Sequence, residues 1–400
     1  MSKSKNPPTG LLPDNQATDL LMQLMALSGQ SGEEKPVAEL ITKRLKQAGA
    51  PAKAITHDRA HKLSAHGGEI GNLMLKLPGT TKAPRRLLSA HMDTVPVCAG
   101  ARPMLKGKKI VSKDAHTGLG ADNRAGCAVL LSTALSILKN KLPHPPLTFL
   151  WTVQEEIGLY GARHVGRSKL GKPELAFNWD GRRADQLIVG ATGGYRMEIE
   201  IGGVASHAGN HPEHGVSAIA VASLAIADLV ENGWHGLIKK GKQQGTSNVG
   251  IIRGGAATNV VTDHLYLKAE ARSHNSKFRE RIVREIEKAF RKAAKKVRNT
   301  DGTCGEVKFE GQLDYDSFKL SPKSPSVVAA GKAIEADSAT PELAIANGGL
   351  DANWLNAHGL PSVTMGCGQN DIHTVDEWQD LPEFHRARRI ALRLASDVDE

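Results

Sequence analysis

Aromatic side chains are scarce in this chain, making up 4% of its 400 residues. That deficit excludes a stacking platform for single-stranded nucleic acid, which interleaves aromatic rings with basic residues. Cysteine is scarcer still. The four present, Cys98, Cys127, Cys304 and Cys367, form no CxxC pair and are too few to staple a chain of this length. Buried thiols in a reducing compartment, the cytoplasm, are the expectation. Long apolar runs are missing, which leaves no candidate membrane span. The polar N-terminus MSKSKNPPTGLLPDNQ lacks the apolar centre of a signal peptide, and residues 1–15 read as a flexible lead-in. Acidic residues fall short of basic ones, 42 against 52, for a formal net charge of +10. Much of the excess lies on a helix-like stretch over 278–298. There Ile282, Ile286, Ala289, Ala293 and Val297 form an apolar stripe, while Arg284, Lys288, Arg291, Lys292, Lys295 and Lys296 lie mostly elsewhere. A solvated helix face accounts for this pattern, and no nucleic-acid partner is expected.

What is present has the composition of a globular protein, 40% hydrophobic and 24% charged, at a length that suits two domains. Over the first 190 residues helix-like and strand-like patterns alternate. Ser31-Gly32-Glu33-Glu34 reads as a capping box before an amphipathic helix that Gly49 stops. Buried strands are expected at 87–90, 147–153 and 174–179, with a helix over 124–138. Such alternation predicts an α/β layer with a mixed, largely parallel sheet. The texture changes near Thr192. An alternating strand (196–201), a helix (216–230), two strands (248–252 and 265–271), the basic helix and a last strand (307–313) follow. That is the order of a ferredoxin-like α+β sandwich. From about Ser321 the α/β pattern resumes, with a strand at 362–365. The expected organisation is therefore one domain, 16–191 with 319–400, carrying a second inserted over 192–318.

The polar residues that end these strands carry the chemistry. His91 and Asp93 follow a buried strand directly; a neutral imidazole ligates zinc, and a nearby carboxylate can orient it through the other ring nitrogen. Asp122 sits in the Gly-bounded turn 120–126 ahead of a helix, where it reads either as an N-cap or as a carboxylate bridging two cations. Glu155 and Glu156 end an apolar strand, and two adjacent acids at a buried strand end resist desolvation unless a cation or partner compensates. Asp180 ends the next strand, and His373 follows the strand and turn over 362–370. Together His91, Asp122, Glu156, Asp180 and His373 are the hard and borderline donors that two divalent ions need, zinc before cobalt or manganese. All lie at strand ends or adjacent turns, where open α/β sheets bind ligands.

These stretches resemble the dinuclear zinc peptidase family that includes aminoacylase, glutamate-releasing carboxypeptidases and peptidase T. The likeness is carried by Ser89 to Pro96, Leu119 to Gly126, Val153 to Gly158, Asn178 to Gly181 and Ile372 to Glu377. Gly254 to Asn259 and Glu270 to His274 make it most similar to the peptidase T branch. The resemblance implies a zinc-peptidase-like catalytic domain with an inserted lid that also forms a homodimer. It implies one metal held by His91 and Asp180, the other by Glu156 and His373, and Asp122 bridging, with a cis bond to Asn123. Asp93 would orient His91, Glu155 would be the general base and later the acid, and His207 would stabilise the oxyanion. Asn259 and Arg272 would hold the substrate's carbonyl or carboxylate. Where several members carry an arginine before the paired glycines, this chain has Asn347, which weakens recognition of a free C-terminus. Asp180, where others have glutamate, points to tripeptidase or aminopeptidase action on short peptides. An N-acyl amino-acid deacylase or a carboxypeptidase with the same centre is the alternative.

Overall fold

A computed structural model of the protein describes residues 7–396, and the chain divides into two compact units, 1–190 with 319–400 and 191–318. The first unit is built on a nine-stranded sheet. Its centre is parallel: Leu147–Thr152, Arg86–His91, Leu175–Trp179 and Ser362–Met365 lie side by side in that order. Leu73–Leu77 and Gln186–Ala191 flank this centre and run antiparallel to it. Every residue of Leu147–Thr152 is buried, as a strand covered on both faces must be.

The register decides where the chemistry falls. His91 pairs with Thr152, and Ser89 pairs with Asn178, so the chain emerges from three neighbouring strands at one edge with His91 in the middle. Glu155 and Glu156 leave on one side of it and Asp180 on the other. A second, four-stranded antiparallel sheet includes Gln369–Asn370 and Trp378–Asp380, and the loop between these two strands bears His373.

Helix Ala121–Asn140 is apolar nearly all round and buried from Ala121 to Ile137, as a helix covered on every side is. It approaches the sheet so closely that a Cβ on Gly126 would lie 2.4 Å from both Asn123 Oδ1 and the carbonyl of Trp179.

Two expectations are corrected in this unit. The described part of the expected lead-in over 1–15 packs against the unit. Residues 1–6 lie outside the described residues, Leu12 is buried, and helix Asp14–Met25 has begun. The buried Arg388 ties this end down by donating to Asp14 Oδ1 at 2.8 Å and to the carbonyl of Leu12. Nor do Ser31 and Glu34 form a capping box. Helix Lys35–Gln47 has no side-chain cap, because both side chains turn to longer-range partners described below.

The second unit is a five-stranded antiparallel sheet in the order Gly236–Lys240, Gln243–Gly254, His264–Ser273, Gly193–Gly202, Glu306–Tyr315. Helices Ala218–Glu231 and Ser276–Lys296 share a core with it that includes Val221, Phe278, Ile282, Ile199 and Leu267. The edge strand Gly236–Lys240 exceeds the expected pattern; it forms a hairpin with its successor across Gly241, which sits at φ +62°. Along the basic helix Ile282, Ile286, Ala289 and Ala293 are buried while Arg284, Lys288, Arg291, Lys292 and Lys295 are exposed. Arg291 pairs with Glu287 and Lys292 with Asp228, both at 2.8 Å, as on a solvated face.

Gly126→Ala is expected to destabilise the protein by about 1–3 kcal/mol, the usual cost of overpacking. A lower denaturation midpoint than the native chain's is the outcome that urea unfolding checks.

Candidate metal centre

His91 is the hub. Its ring is buried, with Nδ1 3.1 Å from the carbonyl of Asp93 and 3.4 Å from Asp93 Oδ1. Both neighbours are acceptors, so Nδ1 carries a proton and Nε2 is the nitrogen left to meet a cation. Nε2 faces Asp122 Oδ1 at 3.1 Å and Asp180 Oδ1 at 3.6 Å. On the other side, His373 Nε2 lies 3.4 Å from Asp122 Oδ2 and 3.0 Å from Glu156 Oε2. Asp122 thus turns one oxygen to each group. His91, Asp122 and Asp180 form one set of donor atoms within 4.8 Å of one another, and Asp122, Glu156 and His373 form another. Four-coordinate zinc with bonds of about 2.0–2.1 Å sets its ligand atoms about 3.3 Å apart. The observed separations of 3.0–3.6 Å fit two such ions.

Charge leads to the same conclusion as distance. Burial, reinforced by neighbouring carboxylates, pushes Glu155 well above the usual carboxylate range despite His91 nearby, and raises Asp180 as well. Burial and the Asp122 charge hold Glu156 at about 7, against the pull of His373. Burial opposes charge on His91, yet Glu155, Asp122 and Asp180 outweigh it and raise its pKa. Hydrogen bonds to Asp122 and Glu156 push His373 up to about 10. The protein alone is short of positive charge here, and divalent cations supply it.

The chain matches Peptidase family M20/M25/M40 over residues 87–397. It belongs to that family. Among solved structures, the aminopeptidase PepT of Bacillus cereus is 30% identical, with a TM-score of 0.82 over 98% of this chain and 100% of that one. A tripeptidase of Staphylococcus aureus is 27% identical, with a TM-score of 0.85 over 97% of this chain and 99% of that one. The uncharacterized protein YqjE of Bacillus subtilis is 28% identical over 97% of this chain and its own full length. A peptidase of this family is a hydrolase of peptide bonds.

Several residues that support these donors are not legible in the sequence. Asp93 does more than face His91: its Oδ1 accepts from the backbone N–H of Glu155 at 3.0 Å, and its Oδ2 from that of Glu156 at 3.1 Å. Ser31 Oγ donates to Oδ2 at 2.6 Å. One oxygen of Glu34 accepts from Gln154 N at 2.9 Å, which explains why neither residue caps the helix after it. Glu377 accepts from the backbone N–H groups of Leu119, Gly120 and Asp122 at 2.8, 2.6 and 3.0 Å, setting the turn that presents Asp122. The Asp122–Asn123 peptide is cis, as the family resemblance implies. Asn123 donates to the carbonyl of Trp179 at 2.7 Å, and Gln369 donates to Asp180 Oδ1 at 3.1 Å. His373 has φ +64°, a region that residues other than glycine seldom occupy, within a loop that Trp378 closes by donating to Asp371. Cys98, Cys127 and Cys367 are buried, free thiols; Cys98 donates to Glu377 and Cys127 to the carbonyl of His91.

His207, Asn259 and Arg272 belong to the second unit. His207 Nδ1 accepts from the backbone N–H of Gly209 and of Asn210, both at 3.1 Å, so the neutral ring carries its proton on Nε2. The carbonyl of Asn259 accepts from Ala208 N at 2.9 Å, which places Asn259 on the segment beside His207. Both residues are exposed. Arg272 is met within its own strand by Glu270, at 3.0 Å from Nε and 3.0 Å from Nη2.

Glu377→Ala is expected to weaken divalent-cation binding about 10–100-fold, the usual cost of losing support behind a ligand. Equilibrium dialysis against zinc measures it. Cation uptake is also expected to release protons at pH 7. His373, held at about 10 in the bare protein, is protonated there and must give up its proton to coordinate. Affinity should therefore fall as pH is lowered. Calorimetry in buffers of different ionisation enthalpy counts the protons released.

Proposed function

We propose that the protein is a cytoplasmic exopeptidase that hydrolyses short peptides, tripeptides before longer ones, with two zinc ions and Glu155 as the proton carrier. One observation carries this reading. Asp122 turns an oxygen to each of two donor groups beside the buried Glu155, in a chain that matches an aminopeptidase and a tripeptidase over nearly its whole length.

His91 and Asp180 would hold one ion, Glu156 and His373 the other, and Asp122 both. Bound there, such ions acidify water and polarise a substrate carbonyl. Glu155 takes the proton of the attacking water on its carboxylate and returns it to the nitrogen of the leaving amine. Asp93 keeps the Nδ1 proton of His91 in place and fixes the backbone of Glu155 and Glu156, so the base and its neighbour share one anchor. His207, with its proton on Nε2, is suited to donate to the oxyanion. Asn259 and Arg272 hold the substrate's carbonyl or carboxylate, Arg272 kept extended by Glu270. The second unit serves as lid and as the contact of a homodimer. Asp180 at its position favours cleavage near the amino end, and Asn347 leaves no arginine there for a free C-terminus.

Glu155→Gln is expected to lower kcat about 10²–10⁴-fold while both metal equivalents remain bound. Unchanged turnover would remove Glu155 from the mechanism. Metal-replete protein should cleave tripeptides with a free amino end faster than acetylated amino acids. Exclusive deacylation would instead make it an aminoacylase-type enzyme on the same centre.

A further inference from the structure

Among the described residues, one group of three donors lies outside the centre just described: His211, Glu213 and His214, all exposed. We propose that these three side chains form an additional, weaker site for a borderline transition-metal cation such as zinc or nickel. Their donor atoms lie within 4.8 Å of one another. His211 Nδ1 is 3.4 Å from Glu213 Oε1, and His214 Nε2 is 3.8 Å from the same oxygen. The about 3.3 Å between ligand atoms around zinc is within a few tenths of an ångström of these distances. Two imidazoles and one carboxylate suit zinc or nickel over magnesium and calcium, which prefer oxygen.

The backbone beneath the donors is organised before any ion arrives. Pro212 opens a single 3₁₀ turn, Pro212–His214, with His214 N donating to the carbonyl of His211 at 3.2 Å and Gly215 N to that of Pro212 at 3.1 Å. From the segment around residue 300, Thr300 N donates to the carbonyl of Glu213 at 3.0 Å, and Asn299 donates to that of His214 at 3.1 Å. His211 N is held by the carbonyl of His207 at 3.0 Å. Only side-chain torsions remain to be fixed. The two rings stack nearly parallel, centroids 5.1 Å apart and planes 9° apart, so binding turns a ring about Cβ–Cγ. An exposed side chain makes that rotation at small cost. Because the donors are exposed, water competes and the site is the weaker of the two.

The test is a nickel or zinc titration of the full chain followed by calorimetry and by metal analysis after dialysis. The native chain is expected to take up one equivalent more than His214→Ala, in a separate, weaker step. Glu213→Gln should weaken that step about tenfold. The tighter equivalents should be the same in all three proteins, which keeps this outcome distinct from any failure of the main centre. Equal total uptake by the native chain and His214→Ala, or an unchanged weak step in Glu213→Gln, overturns the proposal. Circular dichroism of the variants should match the native chain, since no buried group is altered.

Discussion

The crowding of buried carboxylates at one edge of a parallel sheet is the constraint on which the rest of the structure depends. Asp93, Asp122, Glu155 and Asp180 are all buried, and the side chain of Glu156 is 7% exposed. Asp122 and Asp180 bring oxygens within 4.8 Å of each other. At an effective dielectric of about 20, two like charges at that range repel by on the order of 3 kcal/mol. A few such pairs equal the roughly 5–15 kcal/mol that stabilises a typical folded protein. Two histidines cannot offset this without binding protons themselves, which is why both are pushed upward. Carboxylates outnumber histidines at this edge, so the bare site is short of positive charge.

Fixing those carboxylates against their own repulsion falls to two acids that touch no candidate ion. Asp93 and Glu377 each accept backbone N–H groups, Asp93 from the Glu155–Glu156 turn and Glu377 from the turn before Asp122. Burial opposes charge on Asp93, yet hydrogen bonds from His91, Ser31 and the Glu155 N–H hold it below the usual carboxylate range, whereas burial outweighs the N–H donors of Glu377 and raises it. The negative charge of Asp93 therefore adds to the need for cations while both acids position the donors. Ser31, Gln369 and Asn123 complete the arrangement through single hydrogen bonds to Asp93, Asp180 and the carbonyl of Trp179.

Much of this was legible in the sequence because strand ends and acids coincide there. The hydrophobic runs before His91, Glu155 and Asp180 mark three strands, and parallel packing brings their C-terminal ends to one edge. His373 was read from its place after the strand and turn over 362–370 and from the family motif Ile372 to Glu377, although nothing in a loop's local pattern says which sheet edge it reaches. The supports were not legible for a related reason. Glu377 lies 255 residues from the turn it organises, and Ser31 lies 62 from Asp93. Ser31-Gly32-Glu33-Glu34 satisfied a local rule and obeyed a distant one. Tertiary partners, buried and charged, outbid an N-cap available to water. The hairpin strand Gly236–Lys240 was not legible because three of its five residues are exposed, leaving Ile238 as the single buried anchor.

Among the described residues, the two kinds of histidine cluster differ in what surrounds their donors. At the main centre His91, Asp122 and Asp180 are buried and the exposed His373 meets the nearly buried Glu156, so without a cation the carboxylate charge must be neutralised by protons. At His211, Glu213 and His214 the donors stand in water and one carboxylate faces two rings, with no crowding of buried like charges. Affinity follows from that difference. Where the apo state is strained by its own charge, binding relieves a penalty as well as forming bonds. Where it is not, only the bonds contribute, and a preorganised backbone merely reduces what must be ordered. Burial, rather than the identity of the donor residues, is what sets the two sites apart.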